Sequence, residues 1–352
     1  MLLKKYILLL ACLALVITSC SDDDDTAIVE VIEVTSGSAD VSRYVAIGNS
    51  LTSGFTDGAL FIAGQINSFP NTLSKQFSAA GGGVFTQPLM NDNIGGALLG
   101  GNQIFNPRLF FDGSGPALLP QTPTTEIANI KPGPYNNMGI PGAKSFHLLS
   151  NSYGNLGAIS TGQANPYFVR MASSPSASVL QDAMAQSPTF FSIWIGNNDV
   201  LSYSSSGGDG TDQTGNPDPS TYGSNDITDP GLFANVYAGI VNGMVSSGAT
   251  EGVVLNIPDV TSIPFFTTIP HNPIPLDGPT AGAVNTGYAP YNGGLQAAFA
   301  ALTGTGLFTA EELAKRTINF TAGQNAVVIV DESLTDLGAI NPAFSTLPKL
   351  RQ

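Results

Sequence analysis

The sequence predicts an α/β protein in which helices cover a mainly parallel sheet. Four short apolar runs support this prediction, and each stops at glycine, asparagine or aspartate; the runs are Tyr44–Ile47, Phe190–Ile195, Val253–Leu255 and Val327–Val330. Because apolar and polar residues do not alternate within these runs, they favour strands that are covered on both faces, as in a parallel sheet. Helical patterns lie between the runs, and this order is typical of a three-layer α/β/α sandwich.

Two helices have clear boundary signals. Asp229 is followed by a proline, and this pair predicts a helix start, since aspartate caps backbone N–H groups and proline fits the first helical position. Apolar residues then recur at three- and four-residue spacing, and Gly248 is the stop signal. Thr309 and Glu312 form a capping-box pattern for a short helix over Ala310–Arg316.

The first 20 residues have the features of a lipoprotein signal peptide. Lys4 and Lys5 precede an apolar run, Tyr6–Val16, that is too short to span a bilayer as a permanent helix. Small residues then lead into Cys20, and this ending resembles a lipobox, which implies cleavage before Cys20 and lipid on its side chain. An ordinary secretory signal with an incidental cysteine is the alternative. Cys12 would leave with the signal, so the mature chain would have neither a free thiol nor a disulfide.

Residues 21–40 are predicted to be a flexible acidic tether, and residues 41–352 a single domain. Ser21 directly after a lipidated cysteine resembles outer-membrane sorting, and Asp22–Asp25 resembles the surface-export signals of Bacteroidetes lipoproteins. A solvated spacer is the alternative interpretation of the acidic run. The expected location is therefore the cell envelope, at the outer membrane, with lipid on Cys20 as the membrane anchor.

The composition excludes some partners. The chain has 12 basic and 26 acidic residues, a net charge of −14, whereas a nucleic-acid partner requires positive charge.

Two long stretches, near residues 55–131 and 202–229, break the strand–helix rhythm and are interpreted as inserts. The acidic stretch Asp209–Asp218 lacks the spacing of a calcium-binding loop, and there is no phosphate-binding glycine loop. We therefore expect neither a metal nor a cofactor.

A serine follows the first apolar run almost directly. Ser50 would lie at the carboxyl end of a strand, where open α/β sheets bind ligands, and Gly48 would let the backbone turn sharply. An ordinary strand-to-helix turn is the alternative. Two later segments add a glycine turn, Asn137–Ala143, and an asparagine pair, Gly196–Asp199, after the second predicted strand. A nucleophile and hydrogen-bond donors for an oxyanion are the groups that acyl transfer needs.

These segments resemble blocks I, II and III of the SGNH, or GDSL-like, hydrolase family. Gly48–Leu51 is similar to the family's Gly-Asp-Ser-Leu, with asparagine in place of aspartate, and the resemblance covers roughly Tyr44–Asp259. It implies a flavodoxin-like sheet with Ser50 as the nucleophile. The N–H of Ser50, the N–H of Gly142 and the side-chain amide of Asn198 would hold the oxyanion. The implied activity is hydrolysis of a carboxylic ester without a cofactor, on a lipid, a short acyl ester or an acylated glycan.

The family's general base has no obvious counterpart in the sequence. In the family the base is a histidine in an Asp-x-x-His motif near the C-terminus, and no such motif occurs here. Of the two histidines, His271 follows the third predicted strand and is the candidate base, whereas His147 is expected to bond locally. We expect that the C-terminal part of the domain is missing from this sequence. The alternative function is a catalytically inactive surface binding protein on an esterase scaffold.

Overall fold

The computed structural model describes residues 34–352. The predicted signal peptide, Cys20 and the first part of the tether lie outside these residues. Within the described part, no helix is both long and apolar enough to cross a bilayer. The described chain divides into two compact units. The first unit contains the described residues up to Pro141, Leu148–Ile193 and Gly239–Val254, and the second contains Gly142–His147, Trp194–Ala238 and Leu255–Gln352.

The helices and strands are short, apart from two helices. In chain order they are β1 (Tyr44–Gly48), α1 (Ser50–Ser53), α2 (Ile62–Ile66), α3 (Phe69–Ser78), β2 (Ala97–Leu99), β3 (Asn102–Phe105), β4 (Leu109–Phe111), β5 (Pro116–Leu118), β6 (Asn137–Gly139), α4 (Pro166–Val169), α5 (Val179–Met184), β7 (Phe190–Trp194), α6 (Asn197–Ser205), α7 (Pro230–Ser246), β8 (Glu251–Val254), α8 (Pro264–Thr267), β9 (Ile274–Leu276), α9 (Gly278–Leu302), α10 (Ala310–Arg316), β10 (Gly323–Asn325), β11 (Ile329–Val330), α11 (Leu337–Ile340) and β12 (Leu350–Arg351). Five 3₁₀ helices add to them, at Ser145–Leu149, Leu156–Thr161, Pro219–Thr221, Val260–Ser262 and Pro342–Phe344.

A four-stranded parallel sheet has the strand order β6-β1-β7-β8. Ala46 of β1 lies opposite Asn137 of β6, and Phe190 of β7 lies opposite Glu251 of β8. Three of these strands were predicted from their apolar runs, whereas β6 was not. The predictions of an α/β class and of a mainly parallel sheet are therefore confirmed.

The inner strand β1 is buried along its whole length, which explains its unbroken apolar run. Tyr44 anchors the strand through its ring and its hydroxyl. The ring contacts Phe77, Phe85 and Phe190, with ring centroids 5.2–6.1 Å apart. The hydroxyl shares a hydrogen bond of 2.7 Å with the Ser192 hydroxyl of β7, so the polar end of this buried side chain is satisfied.

Helix α7 begins and ends where the sequence predicts. Asp229 Oδ1 accepts a hydrogen bond from the Leu232 N–H at 2.6 Å, which is the expected N-cap bond. At the other end Gly248 has a φ of +120°, a backbone conformation that favours glycine. The helix buries Ile240 and Met244 completely.

Both predicted inserts contain ordered structure. The first, residues 55–131, includes α2, α3 and the antiparallel pairs β2–β3 and β4–β5. The second, residues 202–229, is held by the buried Asp226 carboxylate. This carboxylate accepts hydrogen bonds from the Thr211 N–H at 2.9 Å and from the Gln213 side-chain amide at 2.6 Å.

The second unit has its own core around the 25-residue helix α9. Leu295, Ala298 and Leu302 of this helix pack with Phe308 and Leu337. The pairs β9–β10 and β11–β12 are antiparallel. Arg316 lies fully buried at the end of α10 and donates hydrogen bonds to the carbonyl groups of Thr335 and Pro348.

Two details of the second unit differ from the sequence predictions. The run Val327–Val330 is not a strand of the parallel sheet, because Ile329 and Val330 pair with β12 and are 52% and 62% exposed. Thr309 caps α10 by accepting the Glu312 N–H at 3.1 Å. The Glu312 carboxylate, however, accepts the N–H and the hydroxyl of Thr335, both at 2.8 Å, in place of the expected Thr309 N–H.

Candidate active site

Ser50 lies in the first unit, at the first position of α1 and two residues after β1 ends. Asn49 caps the helix, since its side chain accepts the Leu51 N–H at 3.1 Å. The Ser50 carbonyl accepts hydrogen bonds from the Phe55 N–H at 3.1 Å and the Ser53 hydroxyl at 3.0 Å. These bonds fix the backbone of the serine on both sides.

The side chain of Ser50 is available for chemistry. The residue is partly exposed, whereas Asn49, Thr52 and Ser53 around it are buried. Its hydroxyl forms no hydrogen bond with any residue in the range 34–352. A serine hydroxyl in this state has no general base attached, and it is open to solvent or to a substrate.

The Asn137 side chain holds the turn that carries Ser50, a role that was not predicted from the sequence. It is 2% exposed, and its side-chain amide donates to the Thr52 carbonyl at 3.0 Å and to Gln87 Oε1 at 3.1 Å. Its side-chain oxygen accepts the Gly139 N–H at 3.0 Å. A buried amide with all these bonds ties the end of β6 to α1.

Gly139, at the carboxyl end of β6, has no room for a side chain. A Cβ atom built on Gly139 would lie 2.3 Å from the Ser53 nitrogen and 2.7 Å from the Thr52 carbonyl carbon. Any side chain at this position would push α1 away from the sheet. The glycine turn that the sequence indicated therefore has a packing role in the first unit.

Gly142 and Asn198 lie in the second unit. Gly142 is exposed and has a φ of +80°, which favours glycine. The Asn198 side-chain amide donates one hydrogen bond, to the Ala143 carbonyl at 2.8 Å. An asparagine amide has two N–H groups, so one of them is left for another acceptor. The second unit thus places the Asn198 side chain of α6 against the short loop that contains Gly142.

Asp199 is the anchor of that loop. It is 2% exposed, and its carboxylate accepts the Ser145 N–H at 2.8 Å and the Ser145 hydroxyl at 2.7 Å. Burial raises the pKa of Asp199 above its ordinary value, although the bonds from Ser145 and the charge of Lys144 oppose the shift. The carboxylate is thus occupied by the loop, and this supports a structural role for Asp199.

Lys144 is a further buried charge beside Asp199. Its ammonium group donates to the Asp226 carbonyl at 2.6 Å. Burial lowers the pKa of Lys144, while the charges of Asp199 and Asp226 act in the opposite direction. A buried charge of this kind needs compensation, and Lys144 obtains it from the Asp226 main-chain carbonyl and from the negative charges of Asp199 and Asp226. Nothing in the sequence patterns indicated this cluster, because its members are distant in sequence.

Neither histidine has the arrangement of a triad base. His147 Nδ1 accepts the Lys144 N–H at 3.0 Å, so in the neutral ring the proton is on Nε2. A triad histidine has the opposite tautomer, with Nδ1–H donating to a carboxylate and Nε2 accepting the serine proton. Burial, together with the charge of Lys144, lowers the pKa of His147 to about 4.

His271 is placed by the structure in the second unit, and it is exposed. It lines a cavity of about 510 Å³ with residues that include Asn272, Lys315 and Arg351, and no carboxylate is among the lining side chains. In residues 34–352 it forms no ion pair and no hydrogen bond. An acid that would orient its imidazole is therefore absent from its described surroundings.

A cavity of about 710 Å³ lies in the first unit, and it is larger than the groove of about 430 Å³ that adjoins the turn carrying Ser50. Its lining includes Arg43, Tyr135 and Asn136 near the amino ends of β1 and β6, together with Asp182 of α5. Ser50 follows the carboxyl end of β1. The larger cavity is therefore separate from the candidate nucleophile.

Metal ligands and known relatives give no further assignment. No group of three or more His, Cys, Asp or Glu residues within the described range could hold a metal ion. Comparisons with family models, with curated proteins and with solved structures found no match to this chain. The resemblance to SGNH hydrolases consequently remains a prediction that depends on the three sequence blocks.

Proposed function

We propose that this protein is a serine esterase of the SGNH type, with a flavodoxin-like three-layer scaffold and Ser50 as its nucleophile. One observation carries the proposal. Ser50 begins a short helix directly after the inner, fully buried strand β1, on a backbone fixed from both sides, and its hydroxyl is not engaged. The carboxyl ends of inner parallel strands are where open α/β sheets place their ligands.

In the proposed reaction the Ser50 hydroxyl oxygen attacks the acyl carbon of an ester. The hydroxyl proton passes to a base and then to the leaving alcohol as the ester C–O bond breaks. Water next adds to the acyl carbon of the acyl-enzyme, the bond to the serine oxygen breaks, and a carboxylic acid leaves while the serine regains its proton. No electrons are exchanged, and no cofactor takes part.

Three donors would stabilise the oxyanion in this proposal. The N–H of Ser50 is at the start of a helix, where backbone N–H groups lack intrahelical partners. The second donor is the N–H of the exposed Gly142, and the third is the N–H of Asn198 that is not bonded to Ala143. Loss of one such donor typically lowers kcat about 10²–10³-fold. Asn198→Ala should show a loss of this size in any Ser50-dependent turnover.

The nucleophile can be tested by covalent labelling. An alkyl fluorophosphonate should form a stoichiometric adduct, and mass spectrometry of the digested protein should place it on Ser50. Ser50→Ala should not be labelled. Ser78→Ala, which removes an exposed hydroxyl from α3 in the same unit, should be labelled like the wild type. An adduct on another residue, or equal labelling of Ser50→Ala, would reject the assignment.

A second candidate is a surface binding protein that has lost catalysis. The positions of the histidines favour it, since His147 has the wrong tautomer and His271 has no orienting carboxylate. Oxyanion donors without a base can leave roughly 10³–10⁴-fold catalysis over water. For an esterase that lacks only its base, weak turnover of p-nitrophenyl acetate should increase when imidazole is added, after subtraction of the Ser50→Ala rate. Absence of any Ser50-dependent rate would favour the binding protein.

Location is part of the same proposal. Lipid on Cys20 would anchor the esterase at the outer membrane, with the ester substrate supplied from the envelope or the exterior. As a separate point, the net charge of −14 does not favour a nucleic-acid partner.

A further inference from the structure

A groove of about 430 Å³ adjoins the turn that carries Ser50. It lies entirely in the first unit, and its apolar lining consists mainly of Leu51, Phe55, Phe61, Ala63 and Phe69. We call it the phenylalanine groove. We infer that it binds the acyl chain of the substrate, so that the enzyme prefers medium- and long-chain acyl esters. This inference rests on the proposed esterase function.

The groove exists because two glycines let α1 and α2 touch through their backbones. Gly54 ends α1 with a φ of +81°, and a Cβ atom on it would lie 2.4 Å from the Gly64 carbonyl oxygen. A Cβ atom on Gly64 would in turn lie 2.5 Å from the Gly54 carbonyl oxygen. No side chain fits between the two glycines at this contact. The side chains that flank the contact on α1 and α2 form the walls of the groove.

The groove is lined by residues that follow Ser50 directly in the sequence. Leu51, which is 41% exposed, is the next residue after Ser50. Gly54 lies four residues after Ser50, on the same face of the turn. In the proposed reaction, an acyl chain whose carbonyl carbon is at Ser50 would extend past Leu51 and Gly54 into the groove.

The chemistry of the lining selects an acyl chain over a glycan. No lining side chain is charged. Two of the polar ones are already engaged, because the Asn67 amide donates to the Ala63 carbonyl at 2.9 Å and the Ser68 hydroxyl donates to Gln87 at 3.3 Å. The second N–H of Asn67 and the Thr56 hydroxyl are too few partners for the many hydroxyl groups of a sugar, whereas a hydrocarbon chain requires only apolar contact.

The expected preference can be estimated from the burial of methylene groups. Because the groove is open on one side, we assume that half of the full gain of about 0.8 kcal/mol per CH₂ is realised, which is about a twofold increase in kcat/KM per methylene. From acetyl to octanoyl, six methylenes are added, and kcat/KM should increase at least tenfold.

Filling the groove tests the inference. Ala63 and Ile66 are both exposed on α2, but only Ala63 lines the groove. Ala63→Trp should lower the octanoate-to-acetate ratio of kcat/KM at least tenfold. Ile66→Trp places the same indole side chain on the same helix outside the groove and should leave the ratio at its wild-type value. Equal ratios in wild type and Ala63→Trp, or a wild-type preference for acetate, would overturn the inference.

A binding measurement separates this inference from the proposed function. In Ser50→Ala, which cannot hydrolyse esters by the proposed route, dansylundecanoic acid should bind with a fluorescence increase. Adding Ala63→Trp should weaken the binding at least tenfold, whereas adding Ile66→Trp should not. If wild type shows no Ser50-dependent hydrolysis but this binding pattern holds, the esterase fails and the groove stands as an acyl-binding site. If Ala63→Trp binds the probe as tightly as its control, the groove inference is wrong whatever the outcome of the esterase assay.

Discussion

Asn137→Ala tests how the candidate nucleophile is held in place. The substitution removes the donor to the Thr52 carbonyl and the acceptor of the Gly139 N–H, at 3.0 Å each, from a buried site. A buried polar group that loses its partner costs about 1–3 kcal/mol. For two such groups the free energy of unfolding should fall by about 2–6 kcal/mol. A typical domain has about 5–15 kcal/mol, which exceeds the middle of this range of losses, about 4 kcal/mol, so the variant should stay folded.

The same substitution should also slow the labelling of Ser50. Without the bond from Asn137, the carboxyl end of α1 is free to move, and small displacements of a nucleophile lower rates strongly. We expect fluorophosphonate labelling to be at least tenfold slower, measured well below the urea transition. Asn102→Ala is the matched control, because within residues 34–352 the exposed Asn102 amide makes a single, long hydrogen bond of 3.4 Å, to the Gly100 carbonyl. It should change stability by less than about 0.5 kcal/mol.

Two results would refute this reasoning. One is a loss of stability in Asn137→Ala no larger than that in Asn102→Ala. The other is a clear loss of stability with wild-type labelling of Ser50, which would show that Asn137 holds the sheet together without holding the nucleophile.

Three further predictions concern other parts of the chain. Burial lowers the pKa of His147 from 6.5 to about 4, so between these pH values the unfolded state binds more protons than the folded state. The free energy of unfolding should therefore decrease by up to roughly 3 kcal/mol as the pH falls through this window. In His147→Gln, urea unfolding measured from pH 7 to pH 4 should lack this contribution to the decrease. Arg316→Ala removes a fully buried cation that is paired with Glu312 at 3.4 Å, and it should lower the free energy of unfolding by about 3–5 kcal/mol. Lys315→Ala, which removes an exposed cation, should change the urea midpoint little. Equal effects of the two substitutions would contradict a stabilising role for Arg316. Cys20→Ala should release the protein from the membrane pellet on fractionation, and undiminished membrane association would contradict lipidation.

The sequence predicted those parts of the fold that leave a local pattern. The strands β1, β7 and β8 appear as apolar runs, and the N-cap of α7 appears as an aspartate followed by proline. Strand β6 has only three residues and begins with the polar Asn137, so its pairing with β1 decides its conformation. Conversely, Val327–Val330 has a strand-like composition, but only two residues of it pair, and they pair with the distant β12.

In the candidate site, too, the sequence predicted only the features that depend on neighbouring residues. The position of Ser50 after β1 was predictable, because a glycine followed by a serine at the end of an apolar run is a local signal. The bonds of Asn137 to Thr52 and of Asp199 to Ser145 were not, since each joins residues more than 50 positions apart. The tautomer of His147 was equally hidden, because it depends on a backbone N–H that only the folded loop supplies.

The contact between Gly54 and Gly64 has a consequence for how specificity can evolve. Main-chain atoms alone set the separation of α1 and α2 at this point, so replacing a wall residue such as Ala63 or Phe69 reshapes the groove without moving the seryl turn. For the proposed esterase, acyl selectivity and the geometry of Ser50 would then be separable traits. Substitutions limited to the wall positions would change the acyl chain that is accepted and leave the turn that carries Ser50 unchanged. Substitutions at either glycine would alter the groove and the turn together.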